Sequence, residues 1–122
     1  MEKLVTGIGG IFFRSNDNNA LALWYEKHFG INAVQNYKPW QQEAGPTVFA
    51  PFKKDTNYFG NPDQQFMINF RISDLDKFYE YLKTAGVKVD ENRLNESYGK
   101  FAWAYDPEGN KIELWQPIDE GK

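Results

Sequence analysis

With 122 residues, this chain is long enough for one domain with a hydrophobic core but too short for two. Its net charge of −3, without a run of like charge, disfavours nucleic acids and anionic membranes as partners. The absence of cysteine excludes disulfides, thiolate metal ligands and a cysteine nucleophile, and the absence of a long apolar segment argues against a membrane span, so we expect a cytoplasmic protein.

The sequence contains an internal repeat. The segment at 11–17 returns at 68–74 with the same isoleucine, phenylalanine, arginine and aspartate at matching positions. The apolar positions that follow also match, up to Gly30 in one copy and Gly86 in the other. The repeat therefore predicts two tandem units that share a strand followed by a helix.

The first unit is predicted to begin with a strand at 4–14. A helix then opens at Asp17, a residue type that caps helix starts, and ends at Gly30, a residue type that follows helix ends. One strand is predicted after Gly30 and another at 47–52. The segment 54–64 is rich in turn-forming residues, so we interpret it as the linker between the units.

The second unit is predicted over 65–117 and repeats the order of the first. After its opening strand, Ser73 is the expected N-cap of a helix that ends at Gly86. A short strand at 87–89 and a polar loop at 90–99 are expected next. The rest of the unit has the pattern of a β-hairpin.

The hairpin turns at 106–110, where Pro107 presets the backbone angle φ. In the strand that follows, Ile112 and Leu114 share one side and Glu113 lies on the other. If the two apolar residues face a packed layer, Glu113 is an acid on the opposite face of the sheet. We predict a functional site there.

The first strand of the hairpin alternates small and aromatic side chains. Ala102 and Ala104 suit a helix packed closely on one face of the sheet. The aromatic residues that alternate with the two alanines then share a face with Glu113: Phe101, Trp103 and Tyr105. An aromatic surface around one acid suits a flat or cationic small molecule, although aromatic residues also fill ordinary cores.

The repeated strand–helix starts and the ending at 106–114 together resemble the vicinal oxygen chelate superfamily, which includes glyoxalase I, bleomycin-resistance proteins and extradiol dioxygenases. The resemblance covers 5–117. It implies an α+β fold within a single domain over 1–122. Two tandem βαβββ modules, at about 4–53 and 65–117, would form curved half-barrel sheets with helices on the outer face. The resemblance also implies a homodimer.

The resemblance further implies where metal-dependent members hold their ion, on inward side chains from the first and last strand of each module. In this chain those positions fall on Gly10, Phe49, Met67 and Glu113. Glycine offers no side chain, phenylalanine offers no lone pair, and a lone thioether is a poor ligand for hard divalent ions. We therefore expect no metal and no other cofactor.

Glu113 is the sharpest candidate residue. It could be a counter-ion for a cationic ligand, a proton acceptor in an enzyme, or an ordinary partly solvated carboxylate on the sheet. The full set of residues expected to bind a ligand contains aromatic, polar and sulfur-containing side chains from both units: Phe12, Trp40, Phe49, Met67, Asn69, Tyr98, Trp103, Glu113 and Trp115.

Three functions remain open on this sequence. The leading interpretation is a metal-free protein that binds a small aromatic or cationic compound around Glu113, as the resemblance to bleomycin-resistance proteins implies. The alternative is a lyase, isomerase or dioxygenase, either metal-dependent or using Glu113 as a base. The third is a dimeric interaction module in which the protein's own side chains fill the aromatic surface around Glu113.

Overall fold

Two helices and one four-stranded sheet form the regular structure of the computed structural model, which describes residues 2–31 and 38–118. The elements follow the chain in this order: α1 (Asn18–Phe29), β1 (Ile68–Arg71), α2 (Leu75–Thr84), β2 (Leu94–Glu96), β3 (Gly99–Tyr105) and β4 (Lys111–Pro117). The sheet is open and has the strand order β1-β4-β3-β2. The expected α+β class is confirmed. No helix of the described ranges is long and apolar enough to span a membrane.

The sheet is built around the C-terminal hairpin. Strands β3 and β4 pair antiparallel, with Trp103 opposite Glu113 and Phe101 opposite Trp115. On the far side of β4, strand β1 pairs with it in parallel and places Asn69 opposite Glu113. Strand β2 pairs antiparallel with the other side of β3 and is the edge strand there. β4 is therefore a central strand with a neighbour on each side.

The two faces of the hairpin differ as the sequence predicts. Ala102, Ala104, Ile112 and Leu114 are fully or almost fully buried, and they pack in one apolar cluster with residues of α1 and α2. Paired residues of neighbouring strands point to the same face. Glu113 and Trp103 therefore lie on the face away from the helices, as do Phe101 and Trp115, which are two residues away along the same strands.

Both helices begin and end close to the predicted residues. Asp17 caps α1 by accepting a hydrogen bond from the Ala20 amide, and Gly30 ends it in a left-handed conformation with φ of 68°. The predicted cap of α2, Ser73, is wrong by one residue. Asp74 accepts from the Lys77 amide. Its carboxylate is the acceptor that reaches this amide, so the helix starts one residue later.

A turn at 106–110 joins the hairpin to α1. Asp106 is 4% exposed, and its carboxylate accepts hydrogen bonds from the Tyr25 hydroxyl, from the amides of Glu108 and Asn110, and from the Asn110 side chain. The Glu108 carboxylate accepts from the amides of Asn16 and Asp17 and from the Ser15 hydroxyl. The turn therefore fixes the start of α1 against the second unit.

The predicted strands of the first unit are not formed. The structure has no strand at 4–14 or at 47–52, and the apolar side chains there are exposed, with Phe12 at 93%. An extended segment becomes a strand only when a neighbour accepts its ladder hydrogen bonds. Neither segment has such a neighbour among the described residues. The strand expected after Gly30 falls largely on 32–37, which lie outside the described residues.

The second unit differs from prediction in two short places. The polar loop expected at 90–99 contains β2, whose three residues pair with the start of β3. The short strand expected at 87–89 is reduced to one bridge between Val89 and Ala104. The division of the chain into two complete modules remains a prediction, because within residues 2–31 and 38–118 the sheet is formed by strands of the second unit.

Candidate ligand-binding site

Glu113 is the central polar residue of the sheet face that lies away from the helices. It is 9% exposed, and its carboxylate accepts three hydrogen bonds. Asn69 Nδ2 donates to Oε1 at 2.7 Å, Trp103 Nε1 donates to Oε2 at 3.1 Å, and the Tyr58 hydroxyl donates to Oε2 as well. All three donors are uncharged. A buried carboxylate needs such partners to replace its lost hydration.

The register of the sheet places two of these donors. Asn69 in β1 and Trp103 in β3 are the residues directly opposite Glu113 on its two sides. Side chains in such pairs lie about 5 Å apart on one face, which is within reach of a hydrogen bond between long side chains. Asn69, Glu113 and Trp103 therefore form a row across the three strands, which we call the central row.

Tyr58 was missed as a contact of Glu113 by the sequence analysis, which placed it in the linker. The linker returns over the sheet, so that the Tyr58 ring stacks on Phe52 with 5.7 Å between centroids and meets Trp103 edge-on at 6.2 Å. Lys111 Nζ holds the segment by donating to the Tyr58 carbonyl at 2.8 Å. Local periodicity carries no signal for this contact, because the linker is brought back by tertiary packing.

The Tyr58 hydroxyl is a permanent donor at neutral pH. Burial, together with the adjacent Glu113 carboxylate, raises the pKa of Tyr58 well above its ordinary value. The hydroxyl therefore keeps its proton and covers one side of Glu113 Oε2. A ligand that approaches this oxygen must take the place of the phenol.

Aromatic rings continue the same face beyond the central row. Phe101 and Trp115 lie parallel, with an interplanar angle of 6° and 6.3 Å between centroids, and Tyr98 meets Phe101 edge-on. Arg71 is the residue of β1 opposite Trp115. A side chain at Gly99 would collide with Trp115 Nε1 at 2.7 Å, so glycine leaves the room that this indole occupies.

The structure brings together only part of the residue set expected from sequence. Asn69, Trp103, Glu113 and Trp115 share the face, and Tyr98 borders it. The other four lie outside this group, three of them exposed and Met67 just before β1: Phe12, Trp40, Phe49 and Met67. In the described structure none of the four has a hydrogen bond or ring contact with Glu113. Phe12 and Phe49 lie in the segments expected as strands, which form none, so the expected alternation does not bring them to the site. Trp40 lies in the chain between these two segments.

A separate cleft of about 370 Å³ lies at the edge of β1. Phe12 and Arg14 line one side of it, and Phe66 and Lys111 line another. Glu113, Asn69 and Trp103 do not line it. Tyr58 instead lies against Glu113, so the protein's own linker covers this part of the sheet face in this conformation.

The side chains around Glu113 do not fit a divalent metal ion. Within residues 2–31 and 38–118, no three histidine, aspartate or glutamate side chains are grouped as metal ligands. Trp103 and Asn69 direct N–H groups at the carboxylate, and an N–H group has no lone pair to give a metal. Of the four positions that the resemblance suggests, Gly10 and Phe49 are exposed and carry no ligand atom.

Comparisons with known proteins agree with this fold. A family model described as the Glyoxalase/Bleomycin resistance protein/Dioxygenase superfamily matches residues 7–114. The chain is similar to the solved structure of TnmS3, an antibiotic binding protein from Streptomyces sp. CB03234, at 22% identity over 96% of this chain and 100% of that one, with a TM-score of 0.63. It is also similar to lactoylglutathione lyase from Agrobacterium tumefaciens, at 20% identity over 93% and 96%, with a TM-score of 0.61. No curated protein sequence matches the chain significantly.

Proposed function

Because the chain belongs to the Glyoxalase/Bleomycin resistance protein/Dioxygenase superfamily, we propose that it binds a small aromatic or cationic molecule over Glu113 without a metal ion. The observation that carries the proposal is a buried carboxylate held only by uncharged donors, which are the side chains of Asn69, Tyr58 and Trp103. An antibiotic binding protein with the same fold supports a binding role. The binding partner is a small molecule, and the homodimer expected from the resemblance remains part of the proposal.

Glu113 supplies the charge in this proposal. A ligand ammonium or N–H group takes the place of the Tyr58 hydroxyl at Oε2, while Asn69 continues to hold Oε1. The exchange replaces an uncharged donor by a charged one, and charge-assisted hydrogen bonds are the stronger kind. The linker segment that carries Tyr58 must move aside for the ligand to enter.

The aromatic residues supply the rest of the binding surface. Trp103 is buried beside Glu113, and Phe101 and Trp115 present parallel rings further along the face. Flat ligands gain both apolar burial and ring contacts on such a surface, and cations gain from the negative faces of the rings. Few polar groups need to be satisfied there.

A second candidate function uses the same residues as an acid and a base. The hydrogen bond from Tyr58 to Glu113 places a proton donor beside a proton acceptor, as a metal-free lyase or isomerase would require. In this alternative Glu113 removes a proton from the substrate, and the Tyr58 hydroxyl hydrogen-bonds the oxygen on which charge develops. Turnover of a candidate substrate separates this function from binding alone.

The binding proposal predicts that Glu113→Gln weakens binding of the cationic probe 2-naphthylmethylamine by about 1–3 kcal/mol, because a charged hydrogen bond is lost. Isothermal titration calorimetry measures the effect. The matched control is Glu80→Gln, which makes the same charge change at an exposed position of α2. Equal affinities for the wild type and Glu113→Gln would contradict a binding role for this carboxylate.

The metal-free part of the proposal has its own test. The purified protein is incubated with Zn, Mn, Fe(II) and Ni, desalted and analysed for its metal content. We expect no ion to be retained in stoichiometric amount, because one carboxylate with uncharged donors around it makes a weak metal site. If the wild type retains an ion in stoichiometric amount and Glu113→Gln does not, the result would contradict this expectation and favour a metal-dependent enzyme.

A further inference from the structure

Arg71 places a positive charge on the same face as Glu113. It is the last residue of β1 and lies opposite Trp115, just as Asn69 lies opposite Glu113. Arg71 lies two residues after Asn69 in β1, and two residues along a strand span about 7 Å, so Arg71 is roughly that far from the central row. The ligand face therefore has an acidic position and a basic position on neighbouring strands.

The guanidinium of Arg71 is held in place without being neutralised. Its Nη2 donates to the Glu43 carbonyl at 2.8 Å, and a side chain at Gly45 would collide with its Nη1. A carbonyl oxygen accepts a hydrogen bond but carries no full charge. In the described part of the chain, the ion pairs join Asp76 to Arg93 and Lys100, and none includes Arg71.

The surroundings of Arg71 suit an anion that carries an aromatic ring. A guanidinium presents several N–H donors in a planar fork that matches the two oxygens of a carboxylate. Trp115, the residue opposite Arg71 in the sheet, forms a parallel pair of rings with Phe101, and Tyr98 is exposed at the border. A ligand acid at Arg71 would place the attached ring on this aromatic surface.

We propose that Arg71 binds the anionic group of the ligand and that the ligand class is an aromatic carboxylate. The acid pairs with the guanidinium, and the ring lies against Trp115 and Phe101, in the row of side chains next to the central row. This inference rests on the proposed function and narrows its ligand class. It makes Arg71 a determinant of specificity that the superfamily assignment does not supply.

The test compares two probes with the same ring and a polar group of similar size but different charge, 2-naphthoate and the uncharged 2-naphthamide. Isothermal titration calorimetry on the wild type is expected to give an affinity about tenfold or more higher for the carboxylate, and this advantage should shrink as salt is added. In Arg71→Gln the advantage disappears. In Arg14→Gln, the same change at the exposed repeat partner of Arg71, it remains.

Two further measurements keep the result interpretable. Arg71→Lys retains the charge but loses the fork, so it should keep part of the preference for the carboxylate. Circular dichroism shows whether Arg71→Gln is folded. If it is not, the preference of the wild type for naphthoate, its salt dependence and the Arg71→Lys result decide the question.

The proposal and the proposed function can fail separately. Equal affinity of the wild type for naphthoate and naphthamide, or a preference that survives in folded Arg71→Gln, would overturn the role of Arg71. Glu113-dependent binding of 2-naphthylmethylamine would still support the proposed function in that case. If none of the three probes binds, the result counts against both.

Discussion

Residues 11–14 and 68–71 carry related sequences, but only the later segment is a strand. β1 pairs in parallel with β4, and its Phe70 packs against Phe29 with 4.9 Å between ring centroids. The earlier segment has no ladder partner in the described structure, and Phe12 is exposed. The difference shows that an alternating pattern permits a strand, whereas an adjacent strand is needed to form it.

The helices of the two units do not differ in this way. α1 and α2 both form, each with an aspartate that accepts a hydrogen bond from an amide of the first turn. Helix hydrogen bonds are internal to the segment, so capping and apolar spacing act without a distant partner. The second unit gains its sheet because its own strands β1, β3 and β4 pair with one another. The central row consequently belongs to the second unit alone.

The largest expected effect contrasts one leucine from each unit. Leu114 is completely buried under the helices, whereas Leu4 is 77% exposed. Leu114→Ala should lower the free energy of unfolding by about 2–5 kcal/mol, since it removes buried methyl groups and leaves a cavity. Leu4→Ala should change it by less than about 0.5 kcal/mol. Urea unfolding followed by tryptophan fluorescence measures both.

The comparison is made at a protein concentration at which light scattering shows a monomer. A loss of stability in Leu4→Ala as large as that in Leu114→Ala would contradict the difference between the units. It would show that the N-terminal segment is packed in solution. A small loss in both variants would instead contradict the assignment of Leu114 to the core.

A smaller effect is expected where the two units are joined. Tyr25→Phe removes the hydroxyl that donates to buried Asp106 at 2.8 Å, and we expect a loss of about 2 kcal/mol because the acceptor is charged. The control is Tyr81→Phe, which removes an exposed hydroxyl next to His28. If both variants lose the same stability, the contact between α1 and the turn is not what holds the units together.

The sequence predicts the hairpin faces well for a physical reason. Ile112 and Leu114 alternate with Glu113, and small Ala102 and Ala104 alternate with aromatic residues, so both strands point to the same division of faces. Burial of the apolar residues enforces that division. The position of Glu113 opposite Trp103 then follows from the short turn at 106–110.

The remaining features depend on contacts between distant segments. Tyr58 reaches Glu113 because the linker folds back, and no local pattern encodes that return. The cap of α2 falls on Asp74 although Ser73 is also a capping residue type. The Gln116 side chain accepts from the Leu75 amide, so a residue of β4 contacts this helix start. The segments 4–14 and 47–52 have the alternating pattern of strands, but a strand also needs a neighbour to pair with, and the pattern does not show whether one is present.

The smallest expected effect concerns Glu108, whose hydrogen bonds to the start of α1 are reached by solvent. The amides of Asp17 and Asn16, followed by the Ser15 hydroxyl, hold the pKa of Glu108 below its ordinary value. Between the lowered and the ordinary pKa, the unfolded chain binds more protons than the folded one. The stability that Glu108 contributes is therefore complete above the ordinary pKa and is lost as the pH falls through the lowered one.

Glu108→Gln should therefore be less stable than the wild type at pH 7, by less than Tyr25→Phe because solvent screens an exposed charge. The difference should shrink as the pH falls below the ordinary pKa of a glutamate and through the lowered pKa, where the folded wild-type carboxyl takes up its proton. Urea unfolding at a series of pH values measures it, with Glu80→Gln as a control that makes the same substitution at an exposed position of α2. A difference that stays constant down to pH 2 would show that the packing of residue 108, and not its charge, joins the two units.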